Sequence, residues 1–140
     1  MPVVAPLLAT SEGVAARVRA AEEARSRDTT LHLVAFVANP DKAGAAERYP
    51  SDRAATTSEL EREVATLEEQ GVRAEGHLPT GISRLSAAVL EVADQVGAQL
   101  IVIGIRRRSR VGKLVMGSDA QDILLNADCE VLTVKAPSDD

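Results

Sequence analysis

The chain has 140 residues, 45% hydrophobic and 26% charged, with a formal net charge of -5, which is the scale of one domain and excludes a chain too polar to collapse. The acidic balance excludes general attraction to nucleic acid, whose phosphates reward clustered Lys and Arg, and with Tyr49 and Phe36 as the only aromatics base stacking is nearly excluded as well. The lone Cys129 excludes an internal disulfide or a multi-cysteine metal site, and without a basic leader or an apolar run approaching about 20 residues, cytoplasmic residence away from membranes is expected.

In chain order, the run Val3 to Leu8 reads as a buried strand, and Ala9-Thr10-Ser11 opens a helix in which Val14, Val18 and Ala21 recur at helical spacing. Leu31 to Val37, almost free of polar residues, reads as a central strand. Residues 38–57 carry Pro40, Gly44 and Pro50 and predict a long surface connection, able to cover a site or to move. Leu60, Val64 and Leu67 mark the next helix, with Gly71 as its stop. From Val72 to His77 apolar and polar residues alternate, which suits a half-exposed edge strand. Ile82, Leu85, Val89, Val92 and Val96 form the clearest amphipathic helix, followed by Gly97. Leu100 to Ile103 is a continuous apolar strand ending at Gly104. Ala120, Ile123, Leu124 and Ala127 predict a last helix before a strand from Val131 to Val134, and 136–140 form a polar tail.

Strands alternating with helices imply right-handed crossovers and a largely parallel sheet covered on both faces, within a single domain over 1–140. Ligands of such sheets bind beyond the carboxyl ends of the strands. The segment from Gly104 to Lys113 follows a buried strand and holds five of the sixteen Lys and Arg residues. Gly117 and Ser118 then open a helix, where unpaired N–H groups and the helix dipole favour an anion. A phosphate-bearing ligand fits that chemistry. Two plainer readings stand beside it. Ser118 followed by Gln121 is a capping-box pattern, and the arginines suit a solvated loop or ion pairs with a partner chain, each exposed pair contributing only about 0–1 kcal/mol.

No catalytic constellation is expected. His32 lies mid-strand, His77 alternates outward, and neither has a local partner. Asp119 is explained as a helix N-terminal acid, Cys129 as a buried thiol rather than a reactive one, and no metal ligands are assigned.

Taken together, the strand Leu100 to Ile103, Gly104, Gly117-Ser118, the helix containing Ile123-Leu124 and the stretch Asp128 to Val134 resemble the C-terminal signature of the universal stress protein family. That signature reads G-x-x-G, nine residues, then G-S or G-T, and Gly97 to Gly104 matches its lead-in. The resemblance implies an adenine-nucleotide alpha-hydrolase-like fold, a five-stranded parallel sheet in the order 3-2-1-4-5. It also implies a homodimer joined through the last strand, Val131 to Val134, and a stress-response role with ATP or another adenine nucleotide as ligand and Mg only when ATP binds. By position, Gly104, Arg106, Arg107, Gly117 and Ser118 would meet phosphate, and Val37 the base. Two positions depart: Arg107 replaces the second motif glycine, and Ala9 stands where the strand-one aspartate is expected. Three functions follow in order: a phosphate-ligand binding protein, an interaction module that has lost nucleotide binding, and a slow ATPase.

Overall fold

Alternation along the strands divides the apolar side chains between two faces of one sheet, and that division sets the architecture. The computed structural model describes residues 1–38, 45–107 and 114–136, with the backbone alone described at 45, 46, 107, 114 and 115. In β1 (Val3–Pro6), Val3 and Ala5 face one way and Val4 the other. Leu31 and Leu33 of β2 (Leu31–Val34) and Leu100 and Val102 of β4 (Leu100–Arg107) join the first face, while Val34, Ile101 and Ile103 join the second.

The first face is covered by α1 (Ser11–Ser26) and α2 (Ala45–Glu69), the second by α3 (Leu85–Val96) and α4 (Ser118–Asn126). With β3 (Ala74–His77) and β6 (Glu130–Lys135), the parallel strands run in the order β3-β2-β1-β4-β6. This is the expected 3-2-1-4-5 order counted over parallel strands. A two-residue strand, β5 (Leu114–Val115), pairs antiparallel with Arg106 and Arg107 beyond the sheet proper. Registers such as Val3↔Leu31, Leu31↔Ala74 and Val3↔Leu100 align the strand starts and place their carboxyl ends together.

Helix α1 lies close on the sheet because its inner face is made of Ala16, Ala20 and Ala24, all fully buried. Thr10 caps its start, its Oγ1 accepting from the Gly13 N–H at 3.2 Å. The first turn comes so close that a Cβ on Gly13 would stand 2.6 Å from the Leu8 Cβ, and one on Gly104 would strike the Glu12 carbonyl. Gly104 is thus a packing requirement of the α1–β4 contact.

Several boundaries differ from expectation, and β1, read as far as Leu8, stops at Pro6. The stretch 38–57 is not all surface connection: from Ala45 onward it is the first half of α2, with Pro50 inside the helix, while 39–44 lie outside the described residues. Pro50 is the sixth residue of the helix, past the first turn, so it removes one backbone hydrogen bond. The helix-forming residues after it, with Leu60 and Leu67 buried on the sheet, outweigh it. Arg53 also ties this part of α2 down, donating to the Leu78 carbonyl at 3.1 Å. Strand β4 does not end at Gly104 but runs on to Arg107: Ile105 still pairs with Lys135 of β6, and β5 supplies the partner for Arg106 and Arg107. The strand read as Leu31 to Val37 stops at Val34.

No helix among the described residues is long and apolar enough to cross a membrane. Gly104→Ala should lower stability by about 1–3 kcal/mol, the usual cost of overpacking, measured by urea unfolding.

Candidate functional site

The carboxyl ends of β1 and β4 and the N-terminal ends of α3 and α4 enclose a cleft of about 390 Å³. Its apolar wall includes Pro6, Leu8, Leu85, Ile103 and Ile123. Its polar rim is Glu12, Arg106 and the start of α4 at Gly117 to Ala120. Gly117 is the N-cap residue of α4 and, among the described residues, no side chain caps that helix, so the first-turn N–H groups of a nine-residue helix line the cleft.

The structure brings Gly104, Arg106, Gly117 and Ser118 together along this cleft. Arg106 is exposed at its edge. The side chain of Arg107 and all of Arg108 to Lys113 lie outside the described residues. Val37, half-buried after β2, is not among the residues lining the cleft. At the end of β1 the lining residue is Leu8, not Ala9, so the wall there is aliphatic. Glu12 and Leu85 also line it and escaped the sequence reading. The signal for Glu12 was its place two residues after the Thr10 cap, in the turn that faces Gly104.

The two motif glycines differ in kind. Gly104 has no room for a Cβ, whereas one on Gly117 would meet nothing within 4 Å among the described residues, and its φ of -66° suits any residue. Within the described protein, neither packing nor backbone conformation asks for glycine at 117.

Ser118 is not the cap that its spacing to Gln121 predicts. It is the first helical residue, and Gln121 donates from its side chain to the Met116 carbonyl at 3.0 Å instead. The neighbouring carboxylate has the structural task. Asp119 accepts from the Ser86 backbone N–H at 3.1 Å, with the Arg84 guanidinium 3.7 Å away, so one side chain of α4 caps the N-terminus of α3.

A second polar cluster stands on the other side of β1. The β2–β3 register sets His32 opposite Glu75 and His77 opposite Val34. His32 Nδ1 lies 2.8 Å from His77 Nε2 and 3.5 Å from Glu75 Oε2. Burial, then the neighbouring His77, pulls His32 below the ordinary histidine pKa against the opposing pull of Glu75. Burial does the same to His77, again opposed by Glu75. Cys129 is half-buried, and burial followed by Asp128 pushes its thiol pKa up, the direction that disfavours the nucleophilic thiolate.

A family model described as "Universal stress protein family" matches residues 1–135. A universal stress protein of Mycolicibacterium smegmatis is 38% identical over 123 residues, covering 88% of each chain. The structure of a universal stress protein from Archaeoglobus fulgidus is 30% identical, with a TM-score of 0.79 over 96% of this chain and 98% of that one. Another structure from Archaeoglobus fulgidus, a universal stress protein in complex with dAMP, is 25% identical, with a TM-score of 0.71 over 96% and 98%.

The carboxylate bridge between α3 and α4 is testable apart from any ligand. Asp119→Ala should lower stability by about 1 kcal/mol, the typical cost of a lost helix cap, read as a shift in the urea midpoint with an unchanged slope.

Proposed function

Because this chain belongs to the universal stress protein family, we propose that its cleft binds a phosphate-bearing ligand, foremost an adenine nucleotide, and that the protein acts by binding rather than by turnover. The uncapped start of α4 carries this reading. A phosphate set against the N–H groups that follow Gly117 meets the positive end of the helix dipole, with the Arg106 guanidinium at the rim. The glycine at 117 fits the same purpose, since its missing Cβ leaves an anion free to approach the backbone. The dAMP complex of the relative from Archaeoglobus fulgidus supports an adenine nucleotide as occupant.

The aliphatic wall of Pro6, Leu8 and Ile103 offers a base dispersion contacts in place of the aspartate that the family signature leads one to expect. A nucleotide held this way is recognised mainly through its phosphates, so discrimination between bases is weak. Mg²⁺ would join only with ATP, and Glu12 is the carboxylate of the cleft not engaged in capping a helix.

A second copy of the chain fits the β6 edge. Among the described residues strand β6 pairs with β4 alone, which leaves its other edge open there. On α4, the helix just before it, Leu124 and Leu125 are 41% and 82% exposed. An open edge beside exposed leucines is the combination that strand pairing between two copies would cover.

Calorimetric titration with dAMP, AMP, ATP and inorganic phosphate tests the ligand. Gly117→Val should weaken nucleotide binding by at least about tenfold, or ~1.4 kcal/mol, while stability in the absence of ligand falls by no more than the ~1 kcal/mol that valine costs at a helix N-cap. No binding of any of the four at millimolar concentration would remove the nucleotide reading and leave the interaction module in its place. For assembly, sedimentation equilibrium should find a dimer that Thr133→Lys, an exposed position on the open edge strand, converts to monomer.

A further inference from the structure

The only two histidines in the chain stand 45 positions apart in sequence and meet at the β2–β3 edge together with Glu75. From that juxtaposition we infer that His32, Glu75 and His77 form a binding site for a divalent transition metal of the zinc type. The sequence reading assigned no metal ligands, because the three are gathered by strand register and by nothing in their spacing.

The donor set and its dimensions carry the inference. The ligating atoms of the three side chains all lie within 4.8 Å of one another. Tetrahedral Zn²⁺ with bonds of about 2.0–2.1 Å places neighbouring ligand atoms about 3.3 Å apart. The His32 Nδ1 to Glu75 Oε2 separation of 3.5 Å is already close to that, and the imidazole nitrogens at 2.8 Å need to part by only about half an ångström. Two imidazoles and one carboxylate suit Zn²⁺, Co²⁺ or Ni²⁺ and not Ca²⁺ or Mg²⁺, which prefer oxygen alone.

The backbone fixes the arrangement. His32 and Glu75 are cross-strand partners, and His77 follows two residues later on the same face of β3. His32 is only 5% exposed and holds its place by packing, while Glu75 is exposed and supplies the adjustable ligand. His77 also borders a groove of about 450 Å³ whose α3 wall carries Glu91 and Gln95.

No net proton need be released. The hydrogen between the two rings moves to the outer nitrogen of its own imidazole by exchange with solvent, and both inner lone pairs then face the metal. A metal held here would bind β3, the outermost strand, to β2 through side chains as well as through the backbone ladder.

Tag-free protein stripped with EDTA and dialysed should bind one Zn²⁺ per chain at low micromolar free metal, measured against a chromophoric chelator. Co²⁺ should give the visible absorption of a tetrahedral site. Glu75→Gln should weaken Zn²⁺ binding by at least about tenfold, and His77→Gln by more and with loss of the Co²⁺ spectrum. Far-UV circular dichroism shows whether the variants fold, and if His77→Gln does not, the exposed Glu75→Gln decides alone. Absence of saturable Zn²⁺ binding to the native protein, or equal affinity in the folded variants, would overturn the inference.

Discussion

The seating of α1 against the ends of β1 and β4 is the constraint on which the rest of the structure depends. Three buried alanines bring the helix down onto the sheet, and two glycines, Gly13 and Gly104, remove the Cβ atoms that would hold it away. Dispersion between closely packed aliphatic surfaces falls off steeply with distance, so this approach matters more in a core with almost no aromatic bulk. It also decides where the cleft can be. With the first turn of α1 pressed on Gly104, Glu12 becomes part of the rim and the start of α4 becomes the opposite side.

The G-x-x-G half and the G-S half of the motif therefore have different physical origins. Gly104 is explained by the protein's own packing, and its presence says little about a ligand. Gly117 has no such explanation among the described residues and points outward, to whatever approaches the helix start. A side chain at Gly104 is resisted by helix backbone, which cannot rotate away. One at Gly117 would stand in the open mouth of the cleft.

Much of this was legible in the sequence because the strands are short, apolar and bounded by clear stops. Val3 to Leu8, Leu31 to Val37 and Leu100 to Ile103 read as buried strands, right in kind and start though not in end, and the helix packed through Val89 and Val92 announced itself by its period. Position along the chain also located Gly104, Gly117 and Ser118 at one cleft. Other features were invisible for stated reasons. Pro50 punctuates the sequence more strongly than it breaks the helix, since the burial of Leu60 and Leu67 later in the helix offsets its cost. The last two residues of β4 depended on a two-residue partner after it. The meeting of His32 with His77 depended on which strands are neighbours and in what register, which no local pattern records. Asp119 looked like an acid serving its own helix, and its bond to the Ser86 N–H is a contact between two helices.

The aliphatic core has an optical consequence. The chain contains no tryptophan, and its one tyrosine, Tyr49, stands on the first half of α2 with the Arg53 guanidinium 5.7 Å from its ring centre. Intrinsic tyrosine emission therefore reports the environment of that one helix segment and is silent about the sheet. Tyr49 and Phe36 absorb weakly in the near ultraviolet, so an adenine ring in the cleft would be the strongest chromophore of the complex. The same scarcity of aromatic rings that makes the close seating of α1 matter thus leaves the protein nearly transparent where a nucleotide is most visible.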